Sequence, residues 1–203
     1  MMEDDWPTIP GETPIDPSGL LPKLKDSIRN RAELNVIEAE NVRLAVVKYL
    51  SKRPSKRTAP FTLKWVCKLH KEMLGDVWTW AGKIRKIQLN LGPKAYLVGP
   101  RLLSLLQDLA AWETGDMPII EQAAMLHHKT VYLHPFENGN GRWARLLGNI
   151  WLKQHDAPTI DWPEATLVGL GSDVRAEYMD ALWRADELDY GNLFELHRRY
   201  SAA

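Results

Sequence analysis

Two stretches of helical periodicity meet at a single proline-bearing loop, and this spacing constrains the chain most. From Ile119 to Val131, apolar or small residues recur at Ile120, Ala123, Ala124 and Val131, with His127 among them. That is the spacing of one helix face. Pro135 stops the helix, because a residue before proline is driven out of the α region. The helical period returns from Arg142, with Trp143, Leu146, Leu147, Ile150 and Trp151 on one stripe. The segment between is therefore a loop that joins two helices and opens the second.

That loop, His134 to Arg145, reads H-P-F-E-N-G-N-G-R-W-A-R. A helix start exposes unpaired N–H groups and carries roughly half a positive charge. Gly139 and Gly141 let backbone approach a ligand closely, so the loop and helix start form an anion cradle. Arg142 and Arg145 share a face of the first turn, and helical side chains lean toward the N-terminus. Both guanidinium groups are expected at the same anion, and this much positive charge suits a di- or triphosphate. His134, on the other lip, is a natural general base near neutral pH. Glu137 and Asn138 both offer oxygen to Mg²⁺, and on charge Glu137 is the better ligand. The parts imply a nucleophile deprotonated by His134 attacking a phosphorus held in the cradle. No lysine followed by Ser or Thr closes the glycine run, so this is not a Walker A loop.

The stretch resembles the signature of the Fic family, H-P-F-x-[DE]-G-N-G-R-x-x-R, at eight of its nine specified positions. The exception is Asn138, which stands where the family has an acidic residue. The preceding run Ala123 to Leu133 also resembles the family's helix before the signature. The likeness extends over most of residues 30 to 200, and the chain looks most like the bacterial subgroup called mobile mystery protein B. The resemblance implies that His134 activates a target hydroxyl and that Asn138 holds Mg²⁺, more weakly than a carboxylate unless Glu137 substitutes. It implies an anion hole of Gly139, Asn140 and Gly141, with Asn140 near the α-phosphate and Arg142 and Arg145 on the β- and γ-phosphates of ATP. Many relatives carry an inhibitory helix, [ST]-x-x-x-E-[GN], whose glutamate pairs with the second signature arginine. Glu40-Asn41 matches the end of that pattern, although Val36 stands where Ser or Thr is expected. Glu38 is the rival, and Arg145 the expected partner.

The rest of the chain sets the frame. At 203 residues one domain is expected. With 26 basic and 26 acidic residues, a generic nucleic-acid or membrane-surface role has no electrostatic support. No apolar run reaches the ~18 residues of a membrane span. The acidic N-terminus does not read as a signal peptide, and the single cysteine, Cys67, excludes an intramolecular disulfide. A cytoplasmic setting is expected.

Residues 1–21, with Pro7, Pro10, Pro14 and Pro17, read as an extended arm, and residues 22–203 as a single Fic domain. Residues 22–52 read as helical, in one or two pieces, and hold the candidate inhibitory region. Residues 62–74 form a helix capped by Thr62 and Gly75, with His70 packed and given no chemistry. Lys86 to Asn90 alternate polar and apolar, Gly92-Pro93 turns, and Ala95 to Val98 extends again, so 85–98 reads as a β-hairpin. By resemblance this is the flap that docks a target strand, through Ile87, Gln88, Leu89 and Asn90. Pro100 opens the next helix. His127 is expected in or behind the core and His128 exposed. Residues 173–187 and 191–200 form two final helices.

The expectation is an all-α Fic-type helical bundle with one small β-hairpin flap. Its expected activity is transfer of AMP from ATP, with Mg²⁺, to a Ser, Thr or Tyr hydroxyl of a target protein. The alternatives are AMP removal, another nucleotide donor, or a nucleotide-sensing regulatory role in a toxin–antitoxin-like or mobile-element system. In that last case the partner would be a helix-turn-helix protein of the mobile mystery protein A type. No membrane or direct nucleic-acid partner is expected.

Overall fold

The computed structural model describes residues 15–167 and 172–202. Pro7, Pro10 and Pro14 of the expected arm lie outside the described residues. Eight α-helices follow in order among those described: α1 (Arg31–Leu50), α2 (Leu63–Leu74), α3 (Ala95–Trp112), α4 (Ile119–Leu133), α5 (Asn140–Gln154), α6 (Glu164–Leu167), α7 (Asp173–Asp186) and α8 (Gly191–Arg199). Two single 3₁₀ turns, Pro17–Gly19 and Pro22–Leu24, precede them. The fold is all-helical.

The α4–α5 pair forms the centre, with α1, α2 and α3 packed to one side and α7 and α8 to the other. The reason lies in α5, which turns nearly every face inward. Trp143, Ala144, Leu147, Ile150 and Leu152 are all fully buried. A helix buried on nearly every face, its polar Asn140, Arg145, Asn149 and Gln154 included, must be surrounded by the others. Trp143 also donates its indole N–H to the Val66 carbonyl of α2 at 3.0 Å, which satisfies the one polar atom of a buried ring.

Helix α1 begins at a well-made cap. Asn30 accepts the Glu33 N–H at 3.0 Å, and Glu33 reaches back to the Arg29 N–H at 2.7 Å. Its buried stripe is Leu34, Glu38, Asn41, Ala45 and Tyr49. A glutamate in such a stripe needs a partner, since a buried unpaired carboxylate is costly. Thr62 caps α2 through the Trp65 N–H at 3.3 Å, as the sequence predicts. Upstream of α1, Leu20 is buried in an antiparallel bridge with Trp78, and the Leu21 N–H meets the Val77 carbonyl at 2.8 Å.

Three expectations are corrected. There is no β-strand, and hence no hairpin, among the described residues; the only pairings are the isolated bridges Leu20–Trp78 and Ile160–Ser201. Residues 86–94 form an irregular loop, and Ala95 to Val98 is the first turn of α3. The helix therefore starts before Pro100, because Gln88 Oε1 caps the Ala95 N–H at 3.2 Å. Finally, His128 is buried, between the Tyr190 hydroxyl at 3.1 Å and Asp186 Oδ1 at 2.8 Å. It ties α4 to α7 and α8.

Candidate functional site

The loop between α4 and α5 is built by residues that leave it little freedom. His134 ends α4 in the left-handed region, at φ 46° and ψ 59°. Gly139 sits at φ 76°, where a Cβ would lie 2.4 Å from Leu74 Cδ1, so only glycine fits. Asn140 makes a reciprocal pair with Phe136: its Oδ1 accepts the Phe136 N–H, and its amide donates to the Phe136 carbonyl, both at 2.9 Å. The Asn140 side chain, expected near a phosphate, is thus committed to shaping the loop.

His70, on α2, fastens the loop from below. Its Nδ1 accepts the Gly82 N–H at 3.0 Å, so Nε2 carries the proton and donates to the Asn138 carbonyl at 3.0 Å. The ring stacks on Phe136 at 3.7 Å. Burial pushes its pKa down to about 3, and it stays neutral. Its buried position was readable from the α2 stripe, but its role was not.

Arg85 fastens the other lip; Trp80-Ala81-Gly82 followed shortly by Arg85 resembles the region before the family's flap, but that resemblance carries no sign of this role. It is 2% exposed. It donates to the carbonyls of His134 at 2.7 Å, Ile87 at 3.0 Å and Pro93 at 2.6 Å. One buried guanidinium therefore joins the 86–93 loop to the backbone of His134. This is the physical reason the hairpin is missing. The carbonyls of Ile87 and Pro93 go to Arg85 and not to a strand ladder. Ile87, Gln88 and Asn90 are exposed and Leu89 half-buried.

His134 itself is half-buried. Burial is the main force that pushes its pKa down to about 4; the Arg85 charge adds to this and a hydrogen bond with the Val131 backbone opposes it. An imidazole held neutral is in the form a general base requires.

The two signature arginines are both held by carboxylates, from opposite sides. Arg142 Nη2 meets Glu38 Oε2 at 2.8 Å. The other Glu38 oxygen accepts the Trp78 indole N–H at 2.6 Å. Arg145 makes a two-pronged pair with Glu164, Nε to Oε1 at 2.7 Å and Nη2 to Oε2 at 2.5 Å. Burial alone would lower the Arg145 pKa, but Glu164 and the neighbouring Tyr178 reverse this and raise it. The expected Glu40–Arg145 pair is absent: Glu40 is exposed and paired with Arg43 one turn away, at 2.8 Å. Of the two inhibitory candidates the structure brings Glu38 to the signature, and to Arg142. Sequence reasoning missed Trp78, Glu164 and Tyr178.

Asn138 and Glu137, the expected Mg²⁺ ligands, are adjacent in the loop, where phosphate oxygens and water would have to complete a cation's shell. Among the described residues, no three His, Cys, Asp or Glu side chains are grouped to hold an ion. Asn138 Oδ1 accepts the Gly139 N–H at 2.5 Å. The pKa of Glu137 is pushed up, first by burial and then by Asp16, with Lys83 opposing. A hard cation prefers several oxygen ligands, and the loop supplies few.

Among the described residues no helix is long and apolar enough to cross a membrane. Residues 60–152 match the family described as Fic/DOC. The protein adenylyltransferase fic-1 of Caenorhabditis briggsae is 34% identical over 133 residues, covering 63% of this chain and 25% of that protein. The chain thus spans about a quarter of the length of the curated relatives it matches. A structure of Fic-1 (aa134 - 508) from Caenorhabditis elegans superposes with a TM-score of 0.62 at 26% identity, over 86% of this chain and 50% of that one. BepC with bound AMPPNP from Bartonella tribocorum superposes with a TM-score of 0.66 at 16% identity, over 88% and 90%, a likeness of fold. The helix–loop–helix signature and the helices packed around it thus lie on the residues, 60–152, that match the Fic/DOC family.

Proposed function

We propose that this chain transfers AMP from ATP to a hydroxyl side chain of another protein and that Glu38 restrains it. The observation that carries the reading is one loop that holds a neutral imidazole, His134, on one lip. The other lip is a helix start with two arginines. Its relatives' names, protein adenylyltransferases, support the same chemistry. In the proposed step the target oxygen attacks the α-phosphorus and its proton passes to His134. The bond from the α-phosphorus to the α–β bridging oxygen breaks, and pyrophosphate leaves with the electron pair. The cradle's N–H groups and Arg142 hold the phosphates. Mg²⁺, if it enters with ATP, would meet Asn138 or Glu137 and add positive charge there. The exposed side chains of the 86–91 loop, Ile87 and Leu91 among them, are proposed to meet the target.

Glu38 stands against the guanidinium that the phosphates need, so carboxylate and nucleotide compete for one fork. AMP removal is a second reading, supported by the same carboxylate, which could hold a water nucleophile at the cradle. A partner of helix-turn-helix type remains part of the proposal as a source of release.

The test mixes purified protein, Mg²⁺ and ATP labelled at the α-phosphate with bacterial lysate. Label should appear on protein with Glu38→Gly and disappear with Glu38→Gly/His134→Ala. A Glu38→Gly protein that binds ATP but labels nothing would overturn transfer and leave removal as the better reading.

A further inference from the structure

We infer that Glu164 is a second gate on the same cradle, closing Arg145 as Glu38 closes Arg142, and that it decides whether a terminal phosphate can be held. The inference rests on the reading of the loop as a nucleotide site. Gly141 lacks a Cβ, and the Arg145 Nη1 lies only 3.3 Å from where one would stand. The guanidinium therefore lies against the first turn of α5, beside the cradle's backbone. Its Nε/Nη2 edge, the edge that grips two oxygens at once, is taken by Glu164 at 2.7 and 2.5 Å. A phosphate needs that same edge.

Arg145 itself is fixed from behind. Its Nη1 donates to the Tyr178 hydroxyl at 3.5 Å, with the guanidinium 5.8 Å from the ring centre. The next donors can be assigned in sequence. His197 Nδ1 donates to the Leu193 carbonyl at 2.8 Å, so its Nε2 accepts from His127 Nδ1 at 3.3 Å. His127 Nε2 then accepts the Tyr178 O–H at 2.9 Å. This chain crosses α5, α7, α4 and α8, and every member is buried. Glu164 differs in kind. Its side chain is 51% exposed and stands on a four-residue helix. The carboxylate can swing into water while the arginine stays in place, aimed at whatever replaces it.

A plain neutralising pair would cost stability when broken and would be indifferent to phosphate number. A gate would not be indifferent, and this separates the two. In a Glu38→Gly background, AMPPNP and AMP are titrated calorimetrically into the protein with Glu164, with Glu164→Gln and with Glu164→Asp. The gate predicts that Glu164→Gln tightens AMPPNP about tenfold and leaves AMP unchanged, with Glu164→Asp, too short to span both nitrogens, in between. Equal affinities for AMPPNP in all three, or the same gain for AMP, would overturn the gate while leaving the nucleotide site standing. If Glu164→Gln does not fold, the Glu164→Asp comparison decides alone. No binding of either nucleotide to any variant would overturn both the gate and the site.

Discussion

Arg142 and Arg145 are three residues apart on one helix, yet their carboxylates hold them in opposite ways. On the Arg142 side the glutamate is the buried partner, 5% exposed against 24% for the arginine. On the Arg145 side the arginine is buried, 7% exposed against 51% for Glu164. Glu38 is set in the inward stripe of a twenty-residue helix and fixed by Trp78. Its release is proposed to need a shift of α1. Glu164 can leave by rotating its own side chain. The comparison teaches that one restraint opens by moving an element and the other by moving a side chain. A partner protein is suited to the first, and the nucleotide itself to the second.

The largest effect should fall on the proposed base, which neither carboxylate touches. His134→Ala in the Glu38→Gly background should lower labelling by roughly 10²–10⁴ while nucleotide affinity holds; an equal loss of affinity would give His134 a binding role instead. Next comes the loop's anchor. Arg85→Met should reduce labelling roughly ten- to hundred-fold, since small displacements of reacting groups are expensive. A purely structural anchor would do no more than that. Burial is the main cause of the low His134 pKa and the Arg85 charge adds to it, so loss of Arg85 should move the acid limb of the pH–rate profile slightly upward from about 4. An unmoved limb would confine Arg85 to holding the loop.

Acid should separate the two sides further. Glu38, which holds Arg142, rests on a tryptophan that does not titrate, with one buried imidazole, His70, near that arginine; behind Arg145 stand two imidazoles. Burial pushes the pKa of His197 down to about 4 and that of His127 well below its ordinary value. Both are neutral when folded, while the unfolded chain takes up protons below about 6.5. The stability they confer is therefore complete above about pH 6.5 and is lost as pH falls from there toward about 4. Each group can cost up to about 1.4 kcal/mol per pH unit. Urea midpoints at pH 7 and pH 5 measure this, and equal midpoints would deny that these rings are neutral in the fold. The smallest effect belongs to Glu40→Ala. Its carboxylate is exposed and, among the described residues, pairs with Arg43, so labelling and affinity should not change.

Much of this was legible in the sequence. Apolar stripes gave α2, α4, α5, α7 and α8, because each helix buries one face or, for α5, nearly all. The signature loop was legible because glycine, proline and paired arginines have few other joint uses. The choice between Glu38 and Glu40 was also open to the same periodicity. Glu38 is in phase with Leu34, Asn41, Ala45 and Tyr49, whereas Glu40 points away. Following the end of a motif, in place of the helix face, favoured Glu40, which the structure leaves at the surface beside Arg43. Other features had no local signal. Alternation in Lys86 to Asn90 is a real pattern, but a strand needs a partner, and Arg85 takes the carbonyls instead. The start of α3 depends on a cap from Gln88, and the burial of His128 on α7 and α8 closing over α4. The Arg145–Glu164 pair joins residues from two helices across a bend. These are tertiary facts, and single-sequence propensities do not contain them.

The central claim is that Glu38 occupies the guanidinium a nucleotide needs. Its most direct test is calorimetric titration of AMPPNP into the wild type and Glu38→Gly. A hydrogen-bonded charge partner contributes about 1.5–3 kcal/mol, so removing the competitor should tighten binding roughly ten- to hundred-fold. Equal affinities in two folded proteins would contradict the account and place Glu38 outside the nucleotide's path.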